Sequence, residues 1–212
     1  MSGPEPSYGG PWPGLVEHPQ TPRSIRVHEA AVAATRALLS EGGLPAATTD
    51  AISARSGVSK ATLYKHWPSR VAIAAEAFGR EVSDAVALPD TGTTAGDLTE
   101  HLRRVSRFYA GPEGKVFSQL LAATVTDEGG AAYLRAWFLA GRRTTVATLW
   151  RRGVERGDVR PDVDADTATD LLIGPLVLRL MAGHPALTDD AASDLADAVL
   201  HGLVATRDNG ED

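Results

Sequence analysis

At 212 residues, of which 43% are hydrophobic, the chain is long enough for one large or two modest domains with a real core. It contains no cysteine, which excludes a disulfide framework and a thiolate zinc site and fits a reducing cytoplasm. The formal net charge of −6 argues at first against nucleic acid, because phosphate binding relies on Lys and Arg.

The first 22 residues hold six of the thirteen prolines and lack a basic stretch followed by an apolar one. They read as a disordered arm, not as a signal peptide or a helix. Ser24 to Ser40 reads as the first helix, with Ile25, Val27, Ala31, Ala34, Leu38 and Leu39 as its apolar stripe and Gly42-Gly43 as its end. From Thr48 to Arg70 the pattern is two short helices joined at Ser56-Gly57-Val58, opened by the N-caps Thr48 and Ser59. Gly57 takes positive φ cheaply, and Ile52, Val58 and Leu63 are spaced to close an apolar seam. This is a helix-turn-helix pattern. The face of the second helix opposite Leu63 carries Ala61, Thr62, Tyr64 and Lys65, with Lys60 and His66 on its flanks. Donors, cations and one small residue suit a major groove, whose base edges offer acceptors and whose thymines offer a methyl.

The run I-S-A-R-S-G-V-S-K-A-T-L-Y-K-H-W-P-S-R (residues 52–70) resembles the DNA-binding segment of the TetR family of transcriptional regulators. With the preceding helix the likeness spans residues 23–70. Three departures from the family pattern are Ser53 for alanine, Trp67 for phenylalanine and Arg70 for lysine. Charge distribution agrees with the likeness: residues 23–70 carry seven basic and three acidic side chains, +4 in all, leaving −10 for the remainder. A basic end on an acidic body suits a chain that docks one end on DNA. By this reading Thr48, Tyr64, Lys65, His66 and Arg70 hold phosphates, while Lys60, Ala61 and Thr62 approach base edges.

Pro68 stops the reading helix, and Ser69 caps a fourth helix running to about Leu88, with Ala72, Ile73, Ala75, Ala77 and Val82 along it. In the family such a helix joins the reading head to a ligand-binding body. That body offers helices near Gly96–Ala110, Glu113–Asp127, Gly130–Arg156, Asp164–Ala182 and Asp189–Thr206, with no period-2 strand pattern. The expected fold is all-α with about nine helices: an arm (1–22), a helix-turn-helix domain (23–70) with its connecting helix, a helical effector-binding and dimerisation domain (89–207) and a tail (208–212). Leucines and other aliphatics spread around most of the Leu171–Leu180 segment, so it must be covered on more than one side, by a neighbour and by a second copy of the chain. Leu172 and Leu176, with Leu195, Val199 and Leu203 of the last helix, are the candidate dimer residues, and Pro175 should kink their helix. The resemblance also implies an internal cavity, for which Phe108, Phe117, Leu121, Trp137 and Met181 are the candidate lining of a small apolar effector.

Other motifs fail on spacing. Asp162, Asp164 and Asp166 begin like a calcium loop, but Thr167 and Ile173 stand where glycine and glutamate are required; they cap and charge the next helix instead. Gly111 to Lys115 lacks the first glycine and the Ser or Thr of a phosphate loop. No catalytic constellation, cofactor or metal is expected, and the longest apolar run is too short to cross a membrane. The expected protein is a cytoplasmic homodimeric regulator, by resemblance a ligand-responsive repressor, on a palindromic DNA operator. Its rival is a helical small-molecule-binding or catalytic protein whose basic head no longer reads DNA.

Overall fold

The computed structural model describes residues 21–83 and 88–202, without the side chains of residues 81–83. Residues 1–20 of the expected arm, the side chain of Val82, the end of the fourth helix, Leu203 and the expected tail therefore lie outside the described residues. Every regular element in the described residues is helical: α1 (Pro22–Ala46), α2 (Thr49–Ser56), α3 (Lys60–His66), α4 (Arg70–Ser83), α5 (Thr94–Ala110), α6 (Pro112–Thr124), α7 (Glu128–Leu134), α8 (Ala140–Arg156), α9 (Ala165–Met181) and α10 (Asp189–His201). A π-helical turn, Arg135–Leu139, joins α7 to α8 without a break, so with α1 taken as one element the described residues form nine helical stretches, in line with the expected nine or so. No described helix is long and apolar enough to cross a membrane.

The chain forms two compact units, one from Met1–Val86 and Pro112–Arg142, the other from Ala87–Gly111 and Arg143–Asp212. The sequence reading divides the chain near residue 88; the packing instead groups α6 and α7 with the head helices. The cause is a shared core, in which Phe78 of α4 stacks on Phe117 of α6 at 6.1 Å and Phe138 closes on both.

In the first unit, α1 opens at Pro22, ahead of the expected Ser24, because a proline at N1 is pre-organised for a helix and Thr21 Oγ1 accepts the Ser24 amide at 3.2 Å. It breaks at Gly42-Gly43, where Gly43 has φ 68° and ψ −164°, a conformation closed to residues with a side chain. Gln119 Oε1 accepts the Leu44 amide there at 2.8 Å, fixing the turn to α6. The centre of the unit is α4, whose positions 71–79 are all buried. Alanines at 72, 74, 75 and 77 let α1 and α7 come close on either side.

In the second unit, α5 packs against α9 and α10. Its core holds Leu98, Leu102, Val105, Leu149, Leu172, Leu176, Ala192 and Ala196. Asp97, at 0% exposure, accepts the Thr91 amide at 2.6 Å and an Arg156 N–H at 3.0 Å. Burial pushes its carboxyl up, but these bonds and the arginine charge outweigh that and hold it below the ordinary value. At the start of α9, Asp164 accepts the amides of Asp166 and Thr167, the capping role expected of it.

Candidate nucleic-acid interface

Three hydroxyls build the head from local chemistry. Thr48 Oγ1 accepts the Ala51 amide at 3.1 Å, Ser59 Oγ accepts the Thr62 amide at 3.2 Å, and Ser69 Oγ accepts the Ala72 amide at 3.1 Å. Between α2 and α3, Gly57 sits at φ 70° and ψ 6° and donates to Ser53 O at 3.0 Å, closing α2 with a left-handed residue. Ile52, Val58 and Leu63 form the buried seam as expected. Only seven residues long, α3 could not persist alone in water, so its shape depends on these caps and on that seam.

The outward face of α3 presents Lys60, Ala61, Tyr64 and Lys65, all exposed. Tyr64 is 58% exposed, its hydroxyl 3.4 Å from Thr49 Oγ1 across the α2–α3 pair. Lys60 pairs with Asp50 of α2, a partner the sequence reading overlooked; the hydrogen bond and charge of Asp50 raise the lysine pKa. Thr48 uses its oxygen as a cap acceptor, which leaves the hydroxyl proton available as a donor. Arg70 is exposed while one Nη donates to Leu44 O at 3.1 Å, so it also anchors the loop after α1.

Thr62 and His66 stand less open than the rest of the expected face. Thr62 is half-buried with its hydroxyl 2.9 Å from Ser59 Oγ, turned to the cap and away from the open face. His66 is half-buried against Trp67, at 5.5 Å between ring centroids, and against His28, at 5.7 Å. Burial pushes its imidazole below the ordinary value, His28 and Lys65 add to the effect, and Glu76 opposes it. The lowered pKa disfavours the imidazolium, so any bond from His66 to a phosphate would be given by a neutral ring N–H.

The main feature missed by sequence reasoning lies behind α3. Glu76 is fully buried, and its Oε1 accepts from His28 Nε2 at 2.7 Å and from Arg80 Nη2 at 2.6 Å. Its Oε2 accepts from Trp67 Nε1 at 2.7 Å, and the Trp67 ring stacks on His28 at 4.4 Å. Burial pushes the Glu76 carboxyl up, yet the His28 and Trp67 bonds and the charge of Arg80 hold it below its ordinary value, so it is ionised. The available signal was a lone acid inside V-A-I-A-A-E-A-F-G, residues 71–79.

The candidate effector residues are distributed over both units. Phe117, Leu121 and Trp137 belong to the first unit, Phe108 and Met181 to the second. Phe117 is 1% exposed in the aromatic core, whereas Met181 is 47% exposed. Within the second unit a cleft of about 740 Å³ is lined by Trp150, Val163, Leu171, Val199 and Leu200 with Asp158, Arg160 and His201.

Two of the candidate dimer residues are taken up inside the chain itself. Leu172 and Leu176 are 0% exposed inside the second unit, because they are the positions α9 turns into its core. At the surface of α9 are Leu171, Leu178 and Met181, while Leu195 and Val199 of α10 are half-buried. Pro175 lies inside α9, which continues past it to Met181.

Residues 31–77 match the family described as "Bacterial regulatory proteins, tetR family", and residues 88–199 match "Tetracyclin repressor-like, C-terminal domain". The chain is 34% identical to the HTH-type transcriptional regulator YdeS of Bacillus subtilis over 87% of its own length and 93% of that protein. It is 28% identical to the HTH-type regulator Mb1581 of Mycobacterium bovis, over 86% and 88% of the two chains. The crystal structure of the TetR family transcription regulator SCO0332 superposes with a TM-score of 0.75 at 33% identity, covering 85% of this chain and all of that one. The regulator FadR from Bacillus subtilis in complex with stearoyl-CoA shares the fold, with a TM-score of 0.59 at 14% identity over 85% and 99%.

Proposed function

Since the chain belongs to the TetR family of DNA-binding transcriptional regulators, we propose that it acts as a homodimer on a palindromic operator, with α3 of each copy in a major groove. The observation that carries this reading is the open face of α3: Lys60, Ala61, Tyr64 and Lys65 stand exposed on a head held by three side-chain caps. Lys60 and Ala61 approach base edges, Lys60 exchanging Asp50 for an acceptor on a base. Thr48, Tyr64, Lys65 and Arg70 hold phosphates and set register.

Dimerisation in this proposal uses the uncovered face of α9, Leu171, Leu178 and Met181, with Leu195 and Val199 of α10 at its margin. A two-fold interface brings the same patch from both copies together. Half-sites repeat at about 34–36 Å or simple multiples of it, so a small apolar effector that favours another separation of the heads releases the operator. Repression follows where the operator overlaps a promoter.

The test is selection of duplexes from a random pool by the full chain, followed by footprinting and affinity at two salt concentrations. An inverted repeat, a mirrored footprint and a steep loss of affinity with salt are expected. Failure to enrich any duplex overturns the reading. Leu178→Glu should yield a monomer in light scattering; an unchanged dimer would remove the α9 face from the interface.

A further inference from the structure

Buried carboxylates are rare, and one that collects three donors from three separate elements is a joint. Glu76 receives His28 from α1, Trp67 from the residue that ends α3, and Arg80 from its own helix one turn on. Both carboxylate oxygens accept, as the bonds from the Trp67 indole and the Arg80 guanidinium, which can only donate, require. A phenylalanine, the family's usual residue at position 67, could stack on His28 but could not donate to Glu76. The tie between the end of α3 and the centre of α4 therefore belongs to this chain's own side chains.

A further element reaches Arg80. The Arg80 guanidinium lies 4.8 Å from the ring centroid of Trp137, which stands in the π-helical turn. One residue before Arg80, Gly79 allows that turn to approach: a Cβ there would meet the Trp137 carbonyl oxygen at 2.6 Å. Single π turns inserted into α-helices recur at functional positions, because the extra residue makes the helix easy to reregister.

Resting on the regulator reading above, we propose that Glu76 is a positioning residue for the reading helix, and that the π turn acts on it through Trp137 and Arg80. The carboxylate holds Trp67 in place and thereby sets the angle between α3 and α4. A shift of Trp137 moves Arg80, changes its hold on Oε1, and re-aims Trp67. The two links are Trp137–Arg80–Glu76 and Glu76–Trp67.

Glu76→Gln is the direct variant, but a buried ionic joint can fail to fold when one partner is changed. Trp67→Phe keeps the stack and removes only the N–H, and Trp137→Leu removes the ring beside Arg80. Each full-length variant is compared with the unaltered chain on one duplex enriched by that chain and on a scrambled duplex, with melting recorded alongside. A positioning role predicts that both variants lower the ratio of specific to scrambled affinity roughly 2- to 30-fold. Trp67→Phe takes the indole donor from Glu76 Oε2 and lowers melting, whereas affinity for the scrambled duplex, measured well below every melting transition, should stay near the unaltered value. Parallel loss on both duplexes, tracking melting, overturns the proposal by reducing Glu76 to a structural role, and an unchanged ratio overturns it outright. Without DNA, Trp137→Leu should move the indole N–H resonance of Trp67 and leave that of Trp150, which donates to Val163 O in the other unit, in place. A stationary Trp67 resonance breaks the first link. Absence of any enriched duplex would instead strike the regulator reading, so the two failures are told apart.

Discussion

The short reading helix makes Ser59 a test of whether its cap or its contacts control binding. Ser59 Oγ accepts the Thr62 amide at 3.2 Å and lies 2.9 Å from Thr62 Oγ1, in an exposed position. Ser59→Ala leaves that amide to water and should cost about 1 kcal/mol, within the ~0.5–2 kcal/mol range for losing a hydroxyl cap. Glycine at the same position costs only about a few tenths of a kcal/mol, because the backbone and solvent recover most of the cap. Ser59→Asp keeps the cap but places a negative charge beside the DNA. If the cap acts, alanine raises amide exchange across residues 60–66 and weakens operator binding about fivefold, the equivalent of ~1 kcal/mol. Glycine then stays close to the unaltered protein. Aspartate should preserve exchange protection and melting temperature while losing DNA affinity. Equal losses for alanine and glycine, with exchange unchanged, would show that the hydroxyl contacts DNA directly and would refute the capping argument.

Three further outcomes follow from the same structure. Lys65→Ala should weaken binding about uniformly across sequences and reduce the slope of log affinity against log salt by roughly 1, as anisotropy titrations at several salt concentrations would reveal. Gly79→Ala and Gly141→Ala should have opposite signs in thermal melts. The first drives a Cβ to 2.6 Å from the Trp137 backbone and should destabilise by roughly 1–3 kcal/mol, whereas the second meets nothing within 4 Å in α8 and should stabilise by about 0.4–1 kcal/mol. Asp97 has a folded pKa held below the ordinary 3.8, so its contribution is present above that value and is lost as pH falls through the folded pKa. Asp97→Asn should therefore lower the urea midpoint at pH 7 and flatten its fall below about pH 4, the reference range for aspartate.

The head was legible in the sequence because its determinants are local. Thr48, Ser59 and Ser69 announce helix starts by bonding amides three residues on, and Gly57 announces the turn by the φ it alone takes freely. The setting of His66 is less legible, for the opposite reason. On a helical wheel it flanks the open face, but Trp67 and His28 hold its ring inward, and α1 enters no local pattern. Glu76 escaped notice because an isolated acid in an apolar helix acquires meaning only when its donors, 48 and 9 residues away, are brought to it.

The α9 helix carries the same lesson into the dimer. Apolar residues surround it so completely that periodicity has no phase, and Leu172 and Leu171 are equal candidates for the inner side. Contact with α5 and α10 decides, taking Leu172 and Leu176 into the core and leaving Leu178 69% exposed. Among the described residues Leu171, Leu178 and Met181 stay exposed, the aliphatic face that the proposed second copy would cover. Composition thus implies the existence of that face, while its identity depends on which leucines the chain's own neighbours have already used.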